Sequence, residues 1–284
     1  MKLISTLMCL LCFCLNNADA QDRAYRIFKA NGKKHNYKKM LKSLEDKDII
    51  LFGELHNNAI AHWLQLELSM DLIEKRDVTM GAEMIEADNQ EALDSYLNSE
   101  IDQAAFDTLA RLWPNYKTDY KPLVDLAKEN SIHFVASNIP RRYASMVYKN
   151  GFEILDTLSD QELEWMAPLP IDFDSEIKSY KAILEMMGDH GSPDLVKAQA
   201  MKDATMAHFI YSNYKPGNLF IHFNGSYHSD IYEGIMWYLL RKNSELNYAT
   251  ITTVLQKDLA KLEEEHKFKA DYIIVVDEDM TSTY

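Results

Sequence analysis

The stretch that decides the fold is DIILFGELHNNAIAH, residues 48–62. Its apolar run has the length and composition of a buried strand, which we place at 48–52. The run stops at Gly53, and a carboxylate and an imidazole follow at once as Glu54 and His56. Apolar residues then recur with helical spacing over 59–75, behind asparagines that can cap a helix. The stretch therefore predicts a buried strand, a polar turn and a helix.

The same alternation continues along the chain. Short runs rich in β-branched residues predict further strands at 78–82, 132–137, 218–223, 248–255 and 272–276. Helical spacing recurs between them, at 89–97, 106–113 and 120–130. Strands that alternate with helices are typical of α/β proteins, so we expect a mostly parallel central sheet flanked by helices.

Two segments depart from this rhythm. Residues 155–214 contain no strand-like run and predict three helices, the last beginning at Ser192-Pro193. We expect this helical insertion to stand over the carboxyl edge of the sheet. The segment KLEEEHKFK, residues 261–269, is highly charged and is interpreted as a solvated helix face.

The composition is that of an ordinary globular protein, with 284 residues, 47% hydrophobic and 26% charged. We expect residues 21–284 to form a single domain. The formal net charge of −14 excludes nucleic acid as a favourable partner, because its phosphate backbone would be repelled.

Residues 1–20 have the pattern of a secretory signal peptide. A lysine at the second position precedes an apolar run, and Ala-Asp-Ala at 18–20 fits a cleavage site before Gln21. All three cysteines lie inside this segment. Leucine and phenylalanine precede Cys12 and Cys14, whereas lipidation requires small residues there, so lipoprotein anchoring is the weaker alternative.

Polar side chains follow four of the predicted strands at the point where each ends. The carboxyl ends of parallel strands share one edge of a sheet, where ligands of α/β proteins bind. Two of the strands are followed directly by the pattern Gly-x-x-His, the second time in NGSYHSD at 224–230. The sequence therefore predicts a common site, with candidate catalytic residues Glu54, His56, Glu83, Arg141 and His228.

Several chemistries fit these residues. A divalent zinc, manganese or iron ion could be held by Glu54, His56, Glu83 and His228. Without a metal, Glu54 and a histidine could act as an acid/base pair, and Arg141 could bind an anionic group. Each histidine could equally be a hydrogen-bonded structural residue. C-x-x-C-H, H-E-x-x-H, G-x-S-x-G, G-x-G-x-x-G and the P-loop pattern are all missing from the sequence, which argues against c-type haem attachment, zincins, serine hydrolases and common nucleotide sites.

Five blocks of the sequence, in order, resemble the ChaN family of haem-binding uptake proteins within the Tiki/TraB/erythromycin-esterase-like superfamily. They are GELHNNAIAHWLQLEL, GAEMIEADNQEALDSYL, LWPNYKTDYKPLVDLAKENSIHFVASNIPRR, AQAMKDATMAHFI and NGSYHSD. Together they span about 49–231, most of the chain. In the fourth block, Gln199, Asp203 and Met206 fall on successive turns of one helix.

The resemblance implies an exported haem-binding protein of the bacterial envelope, periplasmic or associated with the outer membrane, linked to iron or haem uptake. Haem is then the expected ligand, with a homodimer and the envelope uptake machinery as expected partners. Tyr227 and His228 are candidate haem ligands, and Arg142, or its neighbour Arg141, is a candidate for pairing with the propionates. Met186, Met187 and His190 of the insertion are candidates for one wall, although helical methionines are usually core residues.

The wider superfamily also contains hydrolases, so the resemblance points in a second direction. The alternative function is a metal-dependent or Glu/His-dependent hydrolase that uses the strand-end residues. A third reading is an exported binding protein with a vestigial site. As candidate haem ligands, Tyr116 and Tyr120 are set aside, because they are interpreted as packing groups beside Trp113.

Overall fold

A mixed sheet forms the centre of the computed structural model, which describes residues 24–188 and 191–284. In these residues the sheet has eight strands in the order β2-β1-β8-β7-β3-β6-β4-β5. The predicted signal peptide, its cysteines and His190 lie outside the described residues. The strands are β1 Tyr25–Lys29, β2 Lys34–His35, β3 Ile49–Glu54, β4 Val78–Glu86, β5 Phe134–Asn138, β6 Leu219–Gly225, β7 Tyr248–Gln256 and β8 Tyr272–Asp277.

The six predicted strands are confirmed as one parallel block, from β8 through β7, β3, β6 and β4 to β5. The prediction missed β1 and β2, an antiparallel hairpin that extends the block at β8. Both strands are short and rich in lysine and arginine, so neither has the apolar run of a buried strand. Gly32 lies between them at a φ of 81°, a conformation that favours glycine.

Helices cover both faces of the sheet. Their bounds are α1 Tyr37–Leu44, α2 Ala59–Ile73, α3 Gln90–Leu97, α4 Gln103–Leu109, α5 Lys121–Glu129, α6 Arg141–Asn150, α7 Asp160–Leu163, α8 Lys178–Met187, α9 Pro193–Asn213 and α10 Ile235–Lys242. A π-helical turn, Tyr116–Tyr120, leads into α5. No helix of the described ranges is long and apolar enough to cross a membrane.

The core follows from side-chain alternation along the buried strands. In β3, Ile50 and Phe52 pack on one face with Leu64 and Leu68 of α2. Ile49 and Leu51 point to the opposite face, where they pack with residues of α9 and α10. Each fully buried aliphatic side chain of this kind contributes roughly 1.5–3 kcal/mol of burial free energy. Because β3 is buried on both faces, its carboxyl end is held rigidly at the edge of the sheet.

Local capping sets several helix bounds. Asn58 accepts a hydrogen bond from the amide of Ala61, so α2 begins at Ala59 as predicted. The helix predicted at 106–113 is displaced, because Asp102 caps the amide of Ala105 and α4 ends at Leu109. Residues 110–113 instead run as an irregular segment toward the carboxyl edge.

The described residues of the segment 155–214 contain helices and no strand of the sheet, although the first helix, α7, is a single turn. Ser192 caps α9 as its sequence predicts. α9 packs against α6, α10 and β5, while Ile183 and Met186 of α8 line a cavity at the carboxyl edge. The prediction of a solvated helix at 261–269 is wrong. That segment has only a short 3₁₀ turn, Glu264–His266, and the His266 side chain is buried.

Candidate functional site

The carboxyl ends of β3, β4 and β6 meet around a cavity of about 670 Å³, which we call the carboxyl-edge cavity. In the described part of the chain it is lined by all five predicted catalytic residues, Glu54, His56, Glu83, Arg141 and His228. β6 lies between β3 and β4 in the sheet, so the two Gly-x-x-His motifs are neighbours in space. The predicted convergence of strand ends is therefore observed.

Glu54 is buried at the bottom of this edge, and both of its carboxylate oxygens have hydrogen-bond partners. One carboxylate oxygen accepts a hydrogen bond from the Tyr120 hydroxyl at 2.7 Å and lies 2.9 Å from His56 Nδ1. The other accepts a bond from the Gln65 amide at 2.6 Å, and His62 Nδ1 lies 3.4 Å away. Tyr120 is therefore more than the packing group that its sequence context indicated. Burial raises the pKa of its hydroxyl far above the ordinary value, so it stays a donor to the carboxylate.

His56 lies at the rim of the site, with 34% of its side chain exposed. Its ring meets that of Trp113 edge-on, with the ring centroids 4.8 Å apart. Its backbone carbonyl accepts hydrogen bonds from the Asn115 amide and lies 3.0 Å from His62 Nε2. Burial alone would lower the pKa of His56, but the Glu54 and Glu83 carboxylates raise it above the ordinary histidine value.

His228 is buried between two carboxylates. Its Nδ1 lies 2.5 Å from Asp203 of α9, and its Nε2 lies 3.2 Å from Glu83 of β4. The Tyr180 hydroxyl donates to the second oxygen of Asp203, and the amide of Gly225 donates to Glu83. We call Glu83, Asp203 and His228 the buried triad. It joins the strand edge to the helical insertion.

The charges of the buried triad are mutually stabilised. Burial alone would lower the pKa of His228, but Glu83 and Asp203 raise it to about 10. Burial alone would raise the pKa of Glu83, but His228 holds it well below its ordinary range. Burial raises the pKa of Asp203, and His228 opposes that rise. His228 is therefore an imidazolium at neutral pH, with both ring nitrogens directed at carboxylates.

The predicted metal ligands do not come together as a metal-binding group. Across residues 24–188 and 191–284, such a group occurs at Glu263, Glu265 and His266 and not at the carboxyl edge. An imidazolium held by two carboxylates has no lone pair to offer a metal. The divalent metal at Glu54, His56, Glu83 and His228 stays a prediction that this arrangement does not support.

The two predicted arginines have different surroundings. Arg141 lines the carboxyl-edge cavity and, within the described residues, has no carboxylate at ion-pair distance. Lys202 of α9 lines the same cavity. Arg142 does not line it: its guanidinium pairs with Asp88 at 2.5 Å and lies over the ring of Tyr143. Arg141 is thus better placed than Arg142 to meet an anionic group in the cavity.

The outer wall of the cavity combines apolar and phenolic groups. Tyr227, in the second motif, is 55% exposed, and its hydroxyl lies 3.7 Å from the thioether sulfur of Met186. Ile139, Ile183 and Trp113 add further apolar surface. Met187 is partly exposed and does not line the cavity. The cavity thus has a buried charged floor and an apolar outer wall that carries a phenol.

Two residues that contact His228 follow a recognisable sequence pattern, although the sequence alone did not identify them as site residues. Gln199 and Asp203 are four residues apart on α9, so both face His228, and the Gln199 amide lies 2.9 Å from its Nδ1. That spacing was visible in AQAMKDATMAHFI. Tyr180, Gln65 and Asn115 gave no comparable pattern, because each reaches the site through a separate tertiary contact.

Comparison with known proteins agrees with this architecture. The sequence model of a family described as haem-binding uptake, Tiki superfamily, ChaN matches residues 40–239. A solved structure of cofacial haem binding to ChaN of Campylobacter jejuni has a TM-score of 0.66 at 17% identity, covering 90% of this chain and 98% of that chain. A structure of a Bacillus cereus protein has a TM-score of 0.52 at 12% identity, covering 89% and 95%. Both likenesses show the fold alone. No curated protein sequence matches this chain.

Proposed function

The chain belongs to the ChaN family of haem-binding uptake proteins in the Tiki superfamily, and we propose that it binds haem as cargo at the mouth of the carboxyl-edge cavity. The observation that carries this placement is Tyr227. Its phenol is exposed on the cavity wall, and among the described residues its hydroxyl has one hydrogen-bond contact, with the weakly accepting thioether of Met186. A phenolate is an established axial ligand of ferric haem.

The surroundings of Tyr227 suit the rest of a haem molecule. Haem needs a flat apolar surface and cations for its two propionates. Trp113, Ile183 and Met186 supply apolar walls, and Arg141 and Lys202 supply cations on the same cavity. His228 is a poorer ligand than Tyr227, because the buried triad keeps it protonated. We therefore assign the iron to Tyr227 and the propionates to Arg141 and Lys202.

A hemin titration followed by visible absorbance tests the ligand. The wild-type protein should show a shifted Soret band that saturates at a defined stoichiometry. Tyr227→Phe removes the hydroxyl and keeps the ring. It should weaken hemin binding by about tenfold or more, because the iron loses one protein ligand. Tyr284→Phe is the matched control, because Tyr284 is another exposed tyrosine that lines the same cavity. An unsaturable rise in the wild type, or equal binding in both variants, would contradict the assignment.

The two neighbouring arginines offer a second comparison. Arg141→Gln removes a cation from the cavity and should raise the hemin dissociation constant by a few fold, the range of an exposed charge pair. Arg142→Gln should leave hemin binding unchanged, because that side chain is paired with Asp88 and does not line the cavity. The reverse order would assign the propionates to Arg142 instead.

The cellular setting is a proposal of its own. From residues 1–20 and the family, we propose export to the periplasm or the outer membrane, with delivery of haem or iron to envelope uptake machinery. Cell fractionation and N-terminal sequencing of the purified protein test this, with Gln21 expected as the first residue. A first residue at Cys12 or Cys14 that carries acyl chains would instead indicate lipidation.

Homodimerisation is proposed because the C. jejuni relative binds haem cofacially, which requires two haems face to face. Light scattering with and without hemin should show a dimer in the loaded protein. A monomer in both states would contradict it. Hydrolysis is not favoured, since Glu54 and Glu83 are each held by hydrogen bonds or ion pairs on both oxygens.

A further inference from the structure

The connection between β7 and β8 holds a second cluster of polar side chains. Glu263, Glu265 and His266 lie around its 3₁₀ turn, and one potential ligand atom from each lies within 4.8 Å of the other two. None of the three lines the carboxyl-edge cavity. We call this group the carboxylate–histidine turn.

His266 is the unusual member of the group. It is 8% exposed, and neither ring nitrogen makes a hydrogen bond of regular geometry in the described part of the chain, although the Leu255 backbone lies beside the ring. Its Nε2 faces Glu263 Oε2 at 3.9 Å and Glu265 Oε1 at 3.8 Å. These separations are too long for hydrogen bonds, and leaving a buried polar atom without a partner costs about 1–3 kcal/mol.

The same separations suit three ligands around one small cation. Metal bonds of about 2.0–2.2 Å to nitrogen and carboxylate oxygen place neighbouring ligand atoms a little closer together than this. The two glutamate side chains are largely exposed and can close that gap by changing rotamer.

The turn is also held in place. Leu262 is buried in a small core cluster with Phe28 and Val254, which fixes the chain just before the glutamates. Gln256 at the end of β7 accepts a hydrogen bond from the Glu263 amide and donates one to the Lys261 carbonyl. Glu264, between the two candidate ligands, pairs with Lys267 at 2.6 Å instead. The backbone is therefore preorganised, and only side chains need to move.

We propose that the carboxylate–histidine turn binds one divalent first-row transition-metal ion through His266 and the carboxylates of Glu263 and Glu265. One nitrogen and two oxygens with no thiolate suit zinc, manganese or iron(II), and water completes the coordination. This site is independent of the proposed haem site, because it shares no residue with the carboxyl-edge cavity.

Calorimetric titration with zinc chloride tests the site, using protein purified without a histidine tag in chelator-treated buffer. The wild type should bind one zinc ion. The double variant Glu263→Gln/Glu265→Gln should bind at least about tenfold more weakly, since even the loss of an outer-shell partner costs roughly 10–100-fold. Glu264→Gln is the matched control on the same turn and should change the affinity by less than about twofold, because this side chain is not a ligand.

Two outcomes would overturn the proposal. Failure of the wild type to bind zinc stoichiometrically would do so, and so would equal affinity in the double variant. The exposed glutamates leave folding intact, which a thermal melt of each variant verifies. The double variant should also retain wild-type hemin binding, so failure of the metal site and failure of the haem site are distinguished.

Discussion

The two Gly-x-x-His motifs have the same sequence pattern and lie on neighbouring strands, but their histidines have opposite environments. His56, after β3, keeps a third of its side chain exposed and faces one strong acceptor, Glu54. His228, after β6, has 7% of its side chain exposed and lies between Glu83 and Asp203. The spacing places both histidines at the carboxyl edge, whereas tertiary neighbours decide what each one does.

This difference gives the carboxyl edge of the sheet one rigid, buried part and one part that is accessible to solvent. The buried triad is a closed charge arrangement, because α9 covers His228 and supplies Asp203. The first motif has no such cover, so His56 and Trp113 remain at the rim of the cavity. We infer that His228 of the second motif organises the floor of the site, whereas His56 of the first motif lies at its accessible rim. The largest consequence of that inference concerns stability.

Replacing His228 by alanine should destabilise the protein far more than replacing His56. His228→Ala leaves Glu83 and Asp203 buried without their cation, a loss that typically costs roughly 3–5 kcal/mol. His56→Ala removes one hydrogen bond from Glu54, which keeps those from Tyr120 and Gln65, so about 1 kcal/mol or less is expected. Urea denaturation of the two variants measures both losses. Equal losses would show that the two motifs are energetically equivalent.

The pH dependence of stability should also distinguish the histidines of the two motifs. The pKa of His228 rises from 6.5 in the unfolded chain to about 10 in the fold. The stability that it contributes is therefore complete below pH 6.5 and is lost as the pH rises toward 10, by up to about 1.4 kcal/mol per pH unit. Denaturation at pH 7, 8 and 9, below the titration of unfolded tyrosines, should show this decline in the wild type.

The two histidine variants serve as controls for that decline. His228→Ala should show a smaller decline from pH 7 to 9, because the imidazolium that loses its proton is gone; the slope that remains comes from Glu83 and Asp203, whose pKa values burial raises once the cation is absent. His56→Ala should keep most of the slope, since the buried triad is intact. A slope that is as steep in His228→Ala as in the wild type would assign the alkaline loss of stability to other groups.

The elements that carried strong local patterns could be predicted from the sequence. The six apolar strands, the cap and start of α2 and the convergence of strand ends all follow from periodicity and from the geometry of parallel sheets. The β1–β2 hairpin lacked an apolar run, and α4 was displaced by a cap at Asp102. Those misses are local, because polar edge strands and irregular loops have weak sequence signals.

The partners within the site could not be predicted in the same way. Asp203 was noticed on one face of a helix, but nothing in the sequence says that α9 would bring it to His228. Tyr120 gave the pattern of a core residue, and its hydroxyl reaches Glu54 from 66 positions away. The charge state of His228 depends on both carboxylates at once, so it follows only from the assembled fold.

The smallest expected effects come from the glycines of the two motifs, whose surroundings differ in how much room they leave for a side chain. A Cβ added to Gly53 would lie 3.0 Å from the Cα of Ser226 and 3.1 Å from the carbonyl oxygen of Ile251, both backbone atoms. A Cβ added to Gly225 would lie 2.8 Å from Nε2 of His56, which is the far end of a partly exposed side chain. The first clash is with backbone atoms of β7 and of the turn after β6, and the second is with a ring that can turn away.

Gly53→Ala should therefore cost stability, roughly 1–3 kcal/mol, as overpacking of a rigid region usually does. Gly225→Ala should cost less, because His56 yields, but it should displace that imidazole from the cavity rim. Urea denaturation measures the first effect, and the imidazole proton resonances of His56 in NMR spectra report the second. If Gly225→Ala leaves those resonances unchanged while destabilising the fold as much as Gly53→Ala, then His56 is held as firmly as His228, and the distinction between a rigid floor and an accessible rim fails.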